Sequence, residues 1–158
     1  MENTLVVSRI YPAPAEMVWK AWTVAELIKR WWGPDRFTCS NAIIDFKEGG
    51  LSRVSMEAPE EFGGQQWFNS WEYKKIVPLE RIEFTQRFCD REGTLINPVE
   101  AGMPADFPEE VHTVVTFKAL GKNETQVTVT QNADMGQMRK MARMGLEQSL
   151  DKVRQLFN

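Results

Sequence analysis

Residues 135–157, MGQMRKMARMGLEQSLDKVRQLF, decide the fold. Met138, Met141, Ala142, Gly145, Leu146, Ser149, Leu150, Val153 and Leu156 or Phe157 recur every three or four positions, so they line one broad apolar stripe of a helix. Arg139, Lys140, Arg143, Glu147 and Lys152 fall largely off that stripe. Asp134 with Gln137 forms a possible capping box that opens the helix near Met135. A helix of about twenty residues spans ~30 Å, enough to cross a whole small sheet. Its stripe is too broad to be left in water, so the residues upstream must supply the surface that covers it.

They read as strands. Thr4–Ile10 is a first strand, ended by Pro12 and Pro14. Ala15, Val18, Trp19 and Trp22 then fall at helical spacing, and Thr23 with Glu26 predicts a capping box that restarts a second short helix. Gly33-Pro34 closes that helix. From Ala42 the period drops to about two: Ala42, Ile44 and Phe46 alternate with polar or outward neighbours, and Gly49-Gly50 turns the chain into Leu51–Ala58. Strands follow at Gln66–Val77 and Arg81–Cys89 around the turn Pro78-Leu79-Glu80, and at Val111–Ala119 and Thr125–Gln131 around Gly121–Glu124. Within them Val54 and Met56 share one face, as do Trp67 and Trp71, and as do Ile82, Phe84, Gln86 and Phe88. Trp67–Tyr73 and Val111–Phe117 are apolar on both faces, which leaves their orientation open. A run of strands followed by a long helix indicates an α+β fold with a largely antiparallel sheet.

The chain has 158 residues, a length that suits one domain burying ~70% of its unfolded surface. Its net charge of −3 offers no basic footprint for nucleic acid or an anionic membrane. No stretch reads as a secretory signal or a membrane span, so a cytoplasmic protein is expected. Cys39 and Cys89 are far apart and read as reduced thiols. Zinc would need those cysteines to converge with His112, and no local spacing supports it, so no metal or cofactor is expected. No nucleophile elbow, phosphate loop or His-Glu-x-x-His motif occurs. His112 is the only histidine; an acid–base pair such as Asp45 with His112 is the one remaining catalytic reading. Residues 90–110, rich in Pro, Gly and acidic side chains, form a long connection that reads either as a lid or as a solvated loop.

Four stretches carry a family resemblance: VWKAWTVAELIKRWWGP (18–34), IIDFKEGG (43–50), VPLERIEFT (77–85) and GLEQSLDKVRQLF (145–157). In that order they resemble the family named after activators of heat-shock-protein-90 ATPase, within the START-like (SRPBCC) superfamily. The resemblance implies a helix-grip fold: a curved antiparallel sheet around a long C-terminal helix, two short helices after the first strand, and an apolar cavity between sheet and helix. Where the family often has Gly-Trp this chain has Gly145-Leu146, which reshapes that cavity. The cochaperone that names the family carries a further domain that these residues do not provide, so the implied stress-response and cochaperone role is the weaker one.

On that fold, Met56, Phe84, Phe88 and one or both of Trp67 and Trp71 would face Met138, Met141 and Gly145 across a pocket. Gln86 and His112 would supply polar contacts. Six Trp and eight Met give the chain a surplus of large, adaptable contact surface. Trp19, Trp22, Trp31 and Trp32 read first as core and second as the closed end of the cavity. The function expected is binding of a hydrophobic or aromatic small molecule by a monomer or homodimer. A cyclase- or hydrolase-type enzyme and a protein-interaction module are the alternatives.

Overall fold

A computed structural model of the chain describes residues 4–157. Among them the order is β1 (Thr4–Tyr11), α1 (Ala15–Thr23), α2 (Ala25–Trp31), β2 (Ala42–Ile43), β3 (Leu51–Glu57), β4 (Gln66–Val77), β5 (Arg81–Cys89), β6 (Val111–Gly121), β7 (Glu124–Asn132) and α3 (Arg139–Val153). The strands form one antiparallel sheet in the order β1-β7-β6-β5-β4-β3-β2. Because β1 and β2 lie at opposite edges, the segment carrying α1 and α2 must cross the width of the sheet between them. Register shifts at Tyr73/Lys75 and Ala119/Gly121 break the regular pairing in two long strands, where extra residues increase local bend and twist. The result is a curved sheet holding a C-terminal helix, the helix-grip arrangement.

The strand pairs settle which residues face inward. Across the β6–β7 hairpin Thr113 pairs with Gln131 and Val115 with Val129, and the buried Val115, Val127 and Val129 put that set on the concave face. Tyr11, Trp71, Tyr73, Ile82, Phe84 and Phe117 join it, and Trp22, Ile28 and Trp31 pack on them from α1 and α2. Inside this core Tyr11 Oη donates to Leu150 O (2.6 Å) and Trp31 Nε1 to Ala21 O (2.8 Å), whereas Trp22 Nε1 and Trp71 Nε1 have no partner among the described residues. Helix α3 is anchored by its C-terminal half, where Ser149, Leu150 and Val153 are buried. Its N-terminal half keeps the apolar stripe but rides above the sheet, and Met141 is 59% exposed.

Several local expectations need correction. Thr23 is the last residue of α1, and α2 starts from Val24 without a side-chain cap. The period-two stretch after Ala42 is strand only over Ala42–Ile43; Ile44 and Phe46 still pack on the core from an irregular segment. Helix α3 begins at Arg139, after a single 3₁₀ turn at Gly136–Met138, and ends at Val153 before another at Arg154–Phe157. Asp134 Oδ1 accepts the Gly136 N–H (2.9 Å), while Gln137 N–H is taken by Asp106 from the 90–110 connection (3.0 Å), so no capping box forms. Lys152 also differs from its expected place off the stripe. Its Nζ donates to Pro34 O (3.1 Å) and Phe37 O (3.4 Å), tying α3 to the segment after α2. Among the described residues no helix is long and apolar enough to cross a membrane.

Candidate functional site

The gap beneath the N-terminal half of α3 is a cavity of about 370 Å³. Its sheet wall comes from Met56 on β3, Trp67 and Asn69 on β4, Gln86 and Phe88 on β5, Val111 on β6 and Gln131 on β7. Period two places these side chains on the concave face, toward the strand ends that the core leaves unfilled. Met135, Met138, Met141, Ala142, Gly145, Leu146 and Ser149 form the helix wall. Trp32, Gly33, Pro34 and Phe37 close one end. Gly145 lets α3 lie close to the end of α2: among the described residues a Cβ there would meet only Pro34 Cγ, at 3.3 Å, a tight contact that a small shift relieves.

The 90–110 connection covers the mouth. Met103, Phe107, Pro108 and Glu109 line the cavity from that segment. Phe107 lies against Phe88 with ring centroids 5.8 Å apart, and Trp67 Nε1 donates to Ala101 O at 2.9 Å. At the far side Asp106 holds the turn that starts α3. A Cβ on Gly136, whose φ is +57°, would sit 2.3 Å from Asp106 Oδ2, so this contact requires glycine both sterically and conformationally. The connection therefore packs along the cavity and is tied at both ends of that contact.

The wall is mostly aromatic and thioether surface. Phe37 and Trp67 lie nearly parallel (21°, centroids 6.2 Å apart). The charged lining residues are Arg87 and Glu109, which face each other with Nη2 and Oε2 3.8 Å apart. Inside, Gln86 Oε1 accepts from Thr113 Oγ1 (2.9 Å) and from Gln131 Nε2 (3.3 Å). Ser149 Oγ donates back to Gly145 O (2.9 Å) and is satisfied within its own helix.

Of the residues singled out from sequence, Met56, Trp67, Gln86, Phe88, Met138, Met141 and Gly145 meet around this cavity. Trp71 and Phe84 do not line it; they stack on each other beneath it (centroids 4.7 Å apart), with Trp32 edge-on to Trp71. His112 is misplaced by the sequence reading. It alternates with the inward Val111 and Thr113, so it lies on the opposite face of the sheet, where its Nε2 is 3.4 Å from Glu83 Oε1. That also removes the Asp45–His112 pair, since Asp45 sits in the β2–β3 connection with its N–H on Ser52 Oγ. The sequence reading gave Trp32 only as an alternative to core and missed Phe37, Asn69, Gln131 and Met135. Asn69 and Gln131 were legible as the inward positions between Trp67 and Trp71 and after Val129, whereas the residues from loops carried no periodic signal.

Among the described residues, no three His, Cys, Asp or Glu side chains gather to hold a metal ion. Burial pushes the Tyr73 hydroxyl up to about 12 and the Cys89 thiol up to about 11. Neither group lines the cavity.

The chain matches the family model described as activator of Hsp90 ATPase homolog 1-like protein over residues 12–158. Among solved structures it is similar to protein CV1439 from Chromobacterium violaceum, with 26% identity, a TM-score of 0.79 and coverage of 99% of this chain and 97% of that one. The AHSA1 protein SPO3351 from Silicibacter pomeroyi has the same fold at 17% identity and a TM-score of 0.75, covering 98% and 96%. DynU16, from the dynemicin biosynthetic locus, shares the fold at 19% identity and a TM-score of 0.67, with 98% of this chain spanning 47% of that one. No curated protein matches the chain. With a family match over almost its full length, on a helix-grip sheet whose cavity is walled as that fold requires, this protein belongs to the activator of Hsp90 ATPase homolog 1-like family.

Proposed function

We propose that this protein binds a hydrophobic or aromatic small molecule between the sheet and α3. The observation that carries the reading is the cavity of about 370 Å³, walled by aromatic and Met side chains and covered by an anchored connection. Sites for small molecules are mostly apolar, with a few polar groups that fix orientation, and this wall has that composition. The flexible thioethers of Met56, Met103, Met138 and Met141 suit a surface that adapts to ligand shape. Burying ~200 Å² of apolar ligand surface at ~25 cal/mol/Å² yields about 5 kcal/mol before ordering costs, which makes micromolar affinity attainable. The groups with displaced pKa lie away from the wall, which favours binding over acid–base catalysis. Two unpaired thiols, Cys39 and Cys89, fit action in a reducing compartment such as the cytoplasm.

Titration of tryptophan fluorescence with a panel of aromatic, lipid and polyketide-like compounds tests the reading, because Trp32 and Trp67 report from the wall itself. Saturable micromolar binding is expected for the parent protein. Gly145→Leu places a side chain in the cavity past Pro34 and is expected to weaken binding at least ten-fold with the circular dichroism spectrum unchanged. If no compound binds the parent below millimolar concentration, the reading fails.

A further inference from the structure

We infer that the ligand is an uncharged, flat ring system whose polar end is a hydrogen-bond acceptor, such as a carbonyl oxygen, and that the Gln86 amide selects it. This rests on the proposed binding function and names the chemistry of the molecule bound.

The argument starts from one side chain. Gln86 is only 9% exposed, yet it belongs to the cavity wall. Its Oε1 is occupied by two donors, Thr113 Oγ1 and Gln131 Nε2, one from each of the next two strands. A carbonyl oxygen has two lone pairs, so this acceptor is saturated. This sense of the amide makes both bonds together: the opposite sense would keep a bond to the Thr113 hydroxyl, which also accepts, but would set the NH₂ group against the Gln131 NH₂. The amide nitrogen is thereby held away from Thr113 and Gln131. Among the described residues it has no protein partner, which leaves two N–H donors for whatever occupies the cavity.

A donor that faces the cavity loses its water when a ligand fills the space, so a ligand that supplies an oxygen gains over one that does not. Ser149, also buried on the wall, is already spent on Gly145 O, whereas Trp32 Nε1 and Arg87 Nε, on two other lining residues, are buried donors without a partner among the described residues and likewise favour an acceptor on the ligand. Asn69 and Gln131 are partly exposed, and water can satisfy them without the ligand. Charge is disfavoured by a separate observation: the ionic groups of the lining, Arg87 and Glu109, face each other at 3.8 Å, so the lining as a whole offers an ion no net opposite charge. A flat ring system is favoured because the lining offers aromatic surface for it to pack on, from the Phe37–Trp67 stack and the Phe88–Phe107 pair.

Three tricyclic probes of nearly one outline separate these possibilities: fluorene has no polar group, 9-fluorenone has an acceptor only, and carbazole has a donor only. Each is titrated into the intact protein by tryptophan quenching. Fluorenone is expected to bind roughly ten-fold tighter than fluorene, with carbazole no tighter than fluorene. Gln86→Leu should erase the fluorenone advantage while fluorene stays within about two-fold. Thr113→Val, which keeps side-chain shape but removes the donor that pins Oε1, should shrink the advantage and strengthen carbazole. Thr113→Val keeps the test decisive should Gln86→Leu misfold. Equal binding of the three probes, tighter carbazole in the parent, or an advantage that survives Gln86→Leu overturns this inference and leaves the cavity's binding role standing. Binding of none of the probes, nor of the wider panel, overturns both.

Discussion

The indole of Trp67 donates from β4 to the carbonyl of Ala101 at 2.9 Å, so a cavity-wall residue is also the clasp of the lid. Asp106 fastens the other end of the same connection through the Gln137 N–H. Around the Ala101 fastening the connection carries its own turns: Ala101 N–H donates to Asn97 O (3.2 Å) and Met103 N–H to Pro98 O (2.8 Å). On the binding function proposed above, this connection has to open without unfolding the sheet, and two separate fastenings allow that.

Trp67→Phe keeps an aromatic ring beside Phe37 and removes the clasp. Losing one such bond costs about 1 kcal/mol, or roughly five-fold in an opening equilibrium. The Ala101 and Met103 amides are expected to exchange about five times faster, with strand amides of β6 and β7 unaffected. Ligand dissociation should quicken by a similar factor. Hydrogen exchange read by NMR separates the two regions, and unchanged lid exchange would show that the clasp is not limiting.

Much of this fold was legible because local signals and global demands coincide. Gln66–Val77 and Arg81–Cys89 end where the sequence predicts, since a tight turn at residues 78–80 separates two runs of strand-forming residues. The start of α3 was not legible. Met135 continues the helical stripe, yet it is buried beside Leu5 and Val111, while Asp106, some thirty residues upstream, captures the first turn. His112 was misjudged for a different reason: with apolar residues on both faces of Val111–Phe117, nothing local chooses the inner one. The β6–β7 register chooses it, by pairing Thr113 with Gln131. The cavity's helix wall could be read from one amphipathic segment, but its lid could not, because loop side chains follow no period.

Cys39 and Cys89 are both unpaired and buried. Burial raises both thiols, Cys89 to about 11 against a partial opposing effect of Arg53, so little thiolate exists near neutrality. In the native protein neither thiol is expected to react with Ellman's reagent at pH 7.5 on the minute scale. In denaturant both should react at once, with rates differing by ~10³-fold or more. Prompt reaction of one thiol in the native state would show that the segment around it opens locally.

On the convex face Glu83 tests a contact the cavity does not use. Arg81 Nε donates to Glu83 Oε2 at 2.6 Å, and this bond is the main reason the carboxyl sits below the ordinary glutamate value, with partial burial opposing and Arg81, His112 and Lys75 adding positive charge. A carboxylate whose folded pKa is depressed contributes stability that is complete above its unfolded value, ~4.3, and fades as the pH falls through the lower folded value. Arg81 is 41% exposed and Glu83 19%, so screening keeps the contribution near 0.5 kcal/mol. Glu83→Gln is therefore expected to lose about 0.5 kcal/mol at pH 7. The gap should close as the pH drops below ~4.3, where the parent glutamate is also becoming neutral. Urea melts at pH 7, 5 and 3 measure it, and a gap that widens toward acid would reverse the sign argued here. Because Glu83 and His112 lie across the sheet from the cavity, Glu83→Gln and His112→Asn should each leave ligand affinity within about two-fold, and a larger loss would place the convex face within reach of the binding site.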